Sequence, residues 1–212
     1  MTTICHLSIS LDGFAAGPRQ SLDNPIGEGG MRLHEWLLAS STFRGTHGQS
    51  GGQQGGADDE AAAEMARDVG AYVMGRNMFT PGRGEWDLDW EGWWGPEPPY
   101  HVPVFVLTHY PRPSLELQGG TVFHFVTEGF QNAHERAREA AGDGRVAIAG
   151  GASTVRQALA AGRLDELHLH IAPVLLGAGE RLFVDVGEPA FEPIGVAGSS
   201  RATHLSYRVT TA

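Results

Sequence analysis

The run Val146-Ala147-Ile148-Ala149-Gly150-Gly151-Ala152-Ser153-Thr154-Val155 joins an apolar segment to a helix-forming one through residues with little or no side chain. Glycine lets a phosphate approach the backbone closely. The free N–H groups and positive dipole end at the start of the following helix favour an anion. Gly150, Gly151, Ala152, Ser153 and Thr154 are therefore candidate phosphate contacts, although a glycine pair by itself is more often a purely structural turn. A second turn of this kind, Tyr72-Val73-Met74-Gly75-Arg76-Asn77, runs a strand into glycine and a cation. The Arg76 guanidinium can pair with a phosphate through its fork, or lie along the surface of the fold. In Val104-Phe105-Val106-Leu107-Thr108-His109 a third apolar strand delivers a hydroxyl and an imidazole at its end. Ligands of open α/β sheets collect at the carboxyl ends of strands, so three such ends together suit the phosphates of an adenine dinucleotide.

Other residue types offer further chemistry. Asp12, closing the first strand at Asp12-Gly13, is the acid best placed by sequence to meet a substrate as donor or acceptor, and is also a plain Asp-Gly turn. Trp93, Trp94 and Tyr100 could stack on a heterocycle, or fill the core beneath their loop. His168 and His170 share one face of a strand, but no third ligand lies near them in sequence, and no metal site is expected. Glu85, Asp87, Asp89 and Glu91 read as a solvated acidic loop. Cys5 is the single cysteine, sits in an apolar run and is assigned no catalytic role.

The elements that must position these residues alternate between strand and helix. Strands are expected at 4–11, 71–74, 102–108, 121–126, 145–149, 166–172, 191–197 and 203–209, with helices at 31–39, 61–69, 131–141 and 154–161. Residues 45–56, rich in Gly and Gln without an aliphatic residue, read as a flexible surface loop. The segment 81–103 holds four tryptophans among prolines, glycines and acids and reads as a long, partly packed excursion. The alternation predicts one α/β domain over residues 1–212, a three-layer arrangement with a central, twisted, mostly parallel sheet and an antiparallel C-terminal edge. Among 212 residues no apolar run approaches the roughly 20 needed for a membrane helix. The N-terminus lacks a secretory pattern, so a cytoplasmic location is expected. A net charge of −10 opposes binding to nucleic acid or anionic membrane.

In their order, these pieces resemble the dihydrofolate reductase-like superfamily, in particular the riboflavin-biosynthesis reductase (RibD C-terminal domain-like) family. The resemblance covers nearly the whole chain and rests on Ser8-Ile9-Ser10-Leu11-Asp12-Gly13-Phe14, Val73-Met74-Gly75-Arg76, Val106-Leu107-Thr108, Ala149-Gly150-Gly151, Asp165-Glu166-Leu167, Ile171-Ala172-Pro173-Val174-Leu175-Leu176-Gly177-Ala178-Gly179 and Leu182-Phe183. It implies NADPH as cofactor. Gly75, Arg76 and Asn77 would meet the adenosine-side phosphates, Thr108 and His109 the 2′-phosphate, Gly150 to Thr154 the pyrophosphate, and the backbone of 8–14 the nicotinamide. It also implies a cis peptide between Gly150 and Gly151. Two departures stand out: Met78, which cannot donate a hydrogen bond, stands where folate reductases often carry a threonine and bears on phosphate binding, and Leu33, not an acid, lies three positions before Trp36 and bears on the substrate. Folate is therefore not the expected substrate.

The expected function is an NADPH-dependent reductase passing hydride to a small heterocyclic or carbonyl substrate, such as a ribosylaminopyrimidine in the manner of a 5-amino-6-(5-phosphoribosylamino)uracil reductase. Orienting a nicotinamide and excluding water requires no catalytic triad. The alternative is a non-catalytic nucleotide-binding sensor or scaffold on the same fold. A small-molecule substrate and a homodimer are the expected partners.

Overall fold

The computed structural model describes residues 2–211. A nine-stranded sheet runs in the order β10-β11-β8-β1-β7-β3-β4-β6-β5. Its members are β1 (Thr3–Ser10), β3 (Val69–Gly75), β4 (Pro103–Leu107), β5 (Leu115–Glu116), β6 (Val122–Val126), β7 (Arg145–Gly150), β8 (Glu166–Ala172), β10 (Pro189–Gly198) and β11 (Thr203–Thr211). The six strands from β8 to β6 are parallel, whereas β11 joins β8, and β10 joins β11, antiparallel. That is the mostly parallel sheet with an antiparallel C-terminal edge expected from the sequence. The short strands β2 (Phe14–Ala16) and β9 (Glu180–Arg181) pair separately.

Alternation along the strands sorts side chains between two faces. Cys5, Leu7 and Ile9 of β1, Ala71 and Val73 of β3, and Ile148 of β7 pack into one core with helices α5 (Phe130–Ala141) and α6 (Ala152–Ala160). Burial pushes the Cys5 thiol up to about 12, consistent with an inert core residue. On the other face, Met74, Val104, Val106 and Phe123 are covered by α4 (Arg76–Phe79) and the tryptophan-rich excursion. Further along this face His6, Ser8, His168, His170 and His204 are buried. Their roof is α1 (Glu35–Leu38), α2 (Ser41–Thr46) and α3 (Gly56–Glu64), which contribute Trp36, Leu37, Phe43 and Ala62.

Three local readings change. The helix expected at 31–39 is a 3-10 turn, Gly30–His34, followed by one turn of α1. The helix expected at 61–69 begins at Gly56 and ends at Glu64, because Val69 already enters β3. The loop at 45–56 lies on the surface but is pinned by hydrogen bonds from Ser41 N to Gln53 O (2.9 Å), Gln53 N to Ala39 O (2.7 Å) and Gly55 N to the Asp59 carboxylate (2.8 Å). Polar bonds to the main chain anchor it where composition offers no apolar surface.

Gly179 fixes the approach of the β9 segment to β2. It has φ +130°, and a Cβ there would lie 2.0 Å from the Ala16 carbonyl oxygen. Gly179→Ala therefore adds backbone strain to a backbone clash, and we expect it to cost about 3 kcal/mol or more in urea denaturation. Gly45→Ala, inside α2 with open space around the added methyl, serves as the control and leaves the midpoint at or slightly above the parent value.

Candidate functional site

The three turns singled out in the sequence lie side by side. Strands β7, β3 and β4 are neighbours, with Met74 opposite Gly150 and Gly75 opposite Leu107. Their carboxyl ends form one edge, and there the chain diverges. It leaves β7 through α6 for β8, beyond β1, while β3 leads through α4 to β4 on the opposite side. Such divergence opens a crevice above the strand ends.

Gly75 measures how tightly the turns converge. A Cβ on it would meet Thr154 Oγ1 at 2.7 Å, Gly151 N at 3.8 Å and Gly150 O at 3.9 Å. Only hydrogen leaves room for α6 to seat against β3. Thr154 is 2% exposed, so its hydroxyl fills this junction, and of the two hydroxyl residues only Ser153 is exposed. Gly150 has φ +116°, which favours glycine, and the Gly150–Gly151 peptide is cis. Gly151 has ordinary dihedrals and nothing within 4 Å of a would-be Cβ, leaving an open cradle before α6. Among the described residues no side chain caps the N-terminus of α6.

Arg76 stands at the end of β3 with its guanidinium carbon 3.9 Å from the Trp86 ring centre and 5.3 Å from that of Tyr110. One terminal nitrogen donates to Glu85 O at 3.3 Å, while the buried Nε has no partner among the described residues. Stacked rings fix the plane of the cation and leave an edge for an anion. Asn77 is half-buried beside it and His109 is exposed. The Thr108 hydroxyl is occupied by its own turn, donating to Tyr110 O at 3.2 Å and accepting from Tyr110 N at 3.1 Å. The sequence missed Arg112, which donates to the carbonyls of Asp87, Leu88 and Trp90 and so fastens the excursion over this edge.

Asp12 is placed differently from the proton donor considered above. Its carboxylate accepts from Leu176 N at 3.1 Å and Gly177 N at 2.7 Å. The Ser10 hydroxyl and these backbone donors hold its carboxyl down at about 2. It is an ionised clamp between the end of β1 and the segment after β8, and has no proton to give near neutral pH. The aromatic residues proposed to line a substrate pocket do come together, but around a cavity too small for a substrate. Tyr100 packs edge-on against Tyr72 at 5.0 Å and Phe123 at 6.0 Å, and burial pushes its phenol up to about 12. Trp93 packs on Trp90, and Trp94 reaches His47 at 4.7 Å. The cavity that all three line, with Met74, Met78 and Phe79, holds about 10 Å³, the space of about one water at most. They fill and roof the second core; a heterocycle does not fit among them. His168 and His170 do share a face, and among the described residues no cluster of three or more His, Cys, Asp or Glu could hold a metal.

Comparisons with known proteins identify a family and a fold. The family model of the RibD C-terminal domain matches residues 1–205. A protein of Shewanella sp. PV-4 assigned to riboflavin biosynthesis superposes with a TM-score of 0.62 at 22% identity, over 100% of both chains. A diaminohydroxyphosphoribosylaminopyrimidine deaminase/5-amino-6-(5-phosphoribosylamino)uracil reductase of Thermotoga maritima gives 0.54 at 14% identity, over 98% of this chain and 56% of its own. The riboflavin biosynthesis reductase of Saccharomyces cerevisiae gives 0.52 at 12% identity, over 99% and 89%. The chain thus spans about half of the bifunctional protein and nearly all of the yeast one. At these identities the likeness establishes the fold. A search of curated proteins finds no match. Among the described residues no helix is long and apolar enough to cross a membrane.

Proposed function

The chain belongs to the RibD C-terminal domain family, and from that premise we propose that it is an NADPH-dependent reductase acting on a small heterocyclic or carbonyl substrate, of which a ribosylaminopyrimidine is the favoured class. One observation carries the reading: an open glycine cradle at Gly151 and a stacked cation with an unpartnered buried Nε at Arg76 stand on adjacent strand ends, in contact through Gly75 and Thr154. These are the donors that a dinucleotide with an extra phosphate requires.

NADPH would supply a hydride. Gly150, Gly151, Ala152 and Ser153 would bind its pyrophosphate through backbone N–H groups at the start of α6, and Arg76, with Asn77 and His109 beside it and Thr108 shaping the turn, would take the adenosine-side phosphates. Thr154 contributes by positioning α6 against Gly75 rather than by reaching the phosphate. The backbone at the end of β1, held by the Asp12 clamp, would orient the nicotinamide.

Arg76→Ala tests the phosphate assignment. A charge-assisted pair is worth roughly 1.5–3 kcal/mol, so affinity for NADPH should fall at least tenfold while affinity for NADH changes much less. Equal weakening of both would remove Arg76 from the 2′-phosphate side. Turnover is tested by following NADPH oxidation with pteridines, ribosylaminopyrimidines and quinones. Consumption with one class identifies the substrate, and binding without consumption by any class favours the sensor reading.

A further inference from the structure

Beneath the α1–α3 roof, three histidines from three adjacent strands are joined in a row that ends on a carboxylate. His6 Nδ1 of β1 lies 3.2 Å from His170 Nε2 of β8. His170 Nδ1 lies 2.8 Å from His204 Nδ1 of β11, and His204 Nε2 lies 2.9 Å from Asp58 Oδ1 of α3. Asp58 is 1% exposed, His170 2%, His204 6% and His6 9%, and His6 Nε2 has no partner among the described residues.

Each ring nitrogen either donates or accepts, so one choice fixes all the others. With Asp58 ionised, His204 must donate from Nε2 and accept at Nδ1. His170 must then donate from Nδ1 and accept at Nε2, and His6 must donate from Nδ1, leaving a bare lone pair at Nε2. With Asp58 protonated on Oδ1, the oxygen that faces His204, every bond reverses and His6 carries its proton on Nε2. These two arrangements, with all three imidazoles neutral, differ by one proton. Burial favours neutral rings here, since an imidazolium would lose its hydration.

We propose that this row is a one-proton latch: a proton taken up at His6 Nε2 passes from ring to ring and comes to rest on Asp58, so that the three imidazoles exchange tautomer together and the carboxylate fastening α3 to β11 loses its charge. No bond other than N–H and O–H is made or broken, and no electrons move. Asp58 lies in the first turn of α3, and Arg201 stands 3.9 Å from its Oδ2, a buried atom with no hydrogen-bond partner among the described residues. The other groups facing the row are few. His168 stacks on His6 at 4.2 Å and is itself bonded to Ser206 Oγ at 2.8 Å and Glu166 at 3.3 Å. Trp36 covers His170 at 4.3 Å and His204 at 5.0 Å. Arg145, paired with Glu64 at 2.8 Å, disfavours a charge on His6, and His34 does so on His170. The latch thus fastens a roof whose Phe43 and His47 also touch Trp94.

The test is nitrogen-15 NMR of the histidine rings in the full chain. Near neutral pH, His6 and His170 should carry their protons on Nδ1 and His204 on Nε2. On acidification all three should exchange tautomer in one step with one midpoint, accompanied by faster amide exchange in α3. Asp58→Asn should abolish the joint step. Arg201→Gln, at a side chain 41% exposed, keeps the packing and should move the shared midpoint to higher pH; this second variant decides if Asp58→Asn does not fold. Separate midpoints, a His204 proton on Nδ1 near neutral pH, a joint step that survives in folded Asp58→Asn, or an unmoved or lowered midpoint in Arg201→Gln would overturn the proposal.

Discussion

Ser153→Asp is expected to stabilise the fold while weakening NADPH binding about 30-fold or more. Ser153 is exposed in the first turn of α6, whose N-terminus no side chain caps. A carboxylate there meets the positive end of the helix dipole and should add roughly 0.3–1 kcal/mol of stability. In the proposed complex the same carboxylate would face the pyrophosphate. At a separation of a few ångström and an effective dielectric near 20, like charges cost about 2 kcal/mol or more, equivalent to about 30-fold in Kd. The opposed signs make the variant informative, because a damaged fold cannot imitate them. Thermal melts and a cofactor titration read the two effects, with Ser153→Ala separating loss of the hydroxyl from gain of the charge. A stabilised variant with unchanged affinity would mean that the Gly150–Gly151 turn binds no phosphate.

Acid destabilisation should be the largest solvent effect, and it should begin well above the range where carboxylates titrate. Burial first, then neighbouring charged groups, hold His6 and His170 well below the ordinary histidine value of 6.5. Above that value these rings are neutral in both folded and unfolded chains and contribute nothing to pH dependence. As the pH falls through 6.5 the unfolded chain takes up protons that the folded chain refuses, so stability falls. Each such histidine contributes about 1.4 kcal/mol per pH unit, and two of them amount to about 4 kcal/mol between roughly pH 7 and 5. Asp12 and Asp59, both held at about 2, act in a separate window, stabilising the fold above the ordinary 3.8 and losing that contribution as the pH falls toward 2. Urea unfolding across this range should show the first decline near the histidine value. Replacing His6 with Gln should reduce its slope by up to about 1.4 kcal/mol per pH unit, leaving the share of the other buried histidines. A stability that stays flat down to the carboxylate range would contradict the buried neutral row.

The sheet, its parallel order and the three strand-end turns were legible because each is written locally. Apolar alternation ends at Gly75, Thr108 and Gly150, and where backbones meet, as Gly75 meets Gly151 and Thr154, only a small residue fits. What depended on distant partners was not legible. Asp12 looked free until Leu176 and Gly177 reached it. Thr154 looked like a phosphate donor until it proved to be turned onto Gly75. Tyr100 offered a stacking face that Tyr72 and Phe123 already occupy. The histidine row was invisible because its members are scattered over β1, α3, β8 and β11. A signal was present all the same, in the alternation of His6, Ser8 and Ser10 with Cys5, Leu7 and Ile9 on a strand buried on both faces. Polar residues at every second position there require partners.

Cofactor binding is read most simply by titrating the unmodified protein with NADPH and following tryptophan emission. With Trp86 stacked on Arg76 at the strand edge, saturable quenching is expected, with NADPH binding more tightly than NADH. No saturable quenching up to millimolar NADPH would contradict the proposed function.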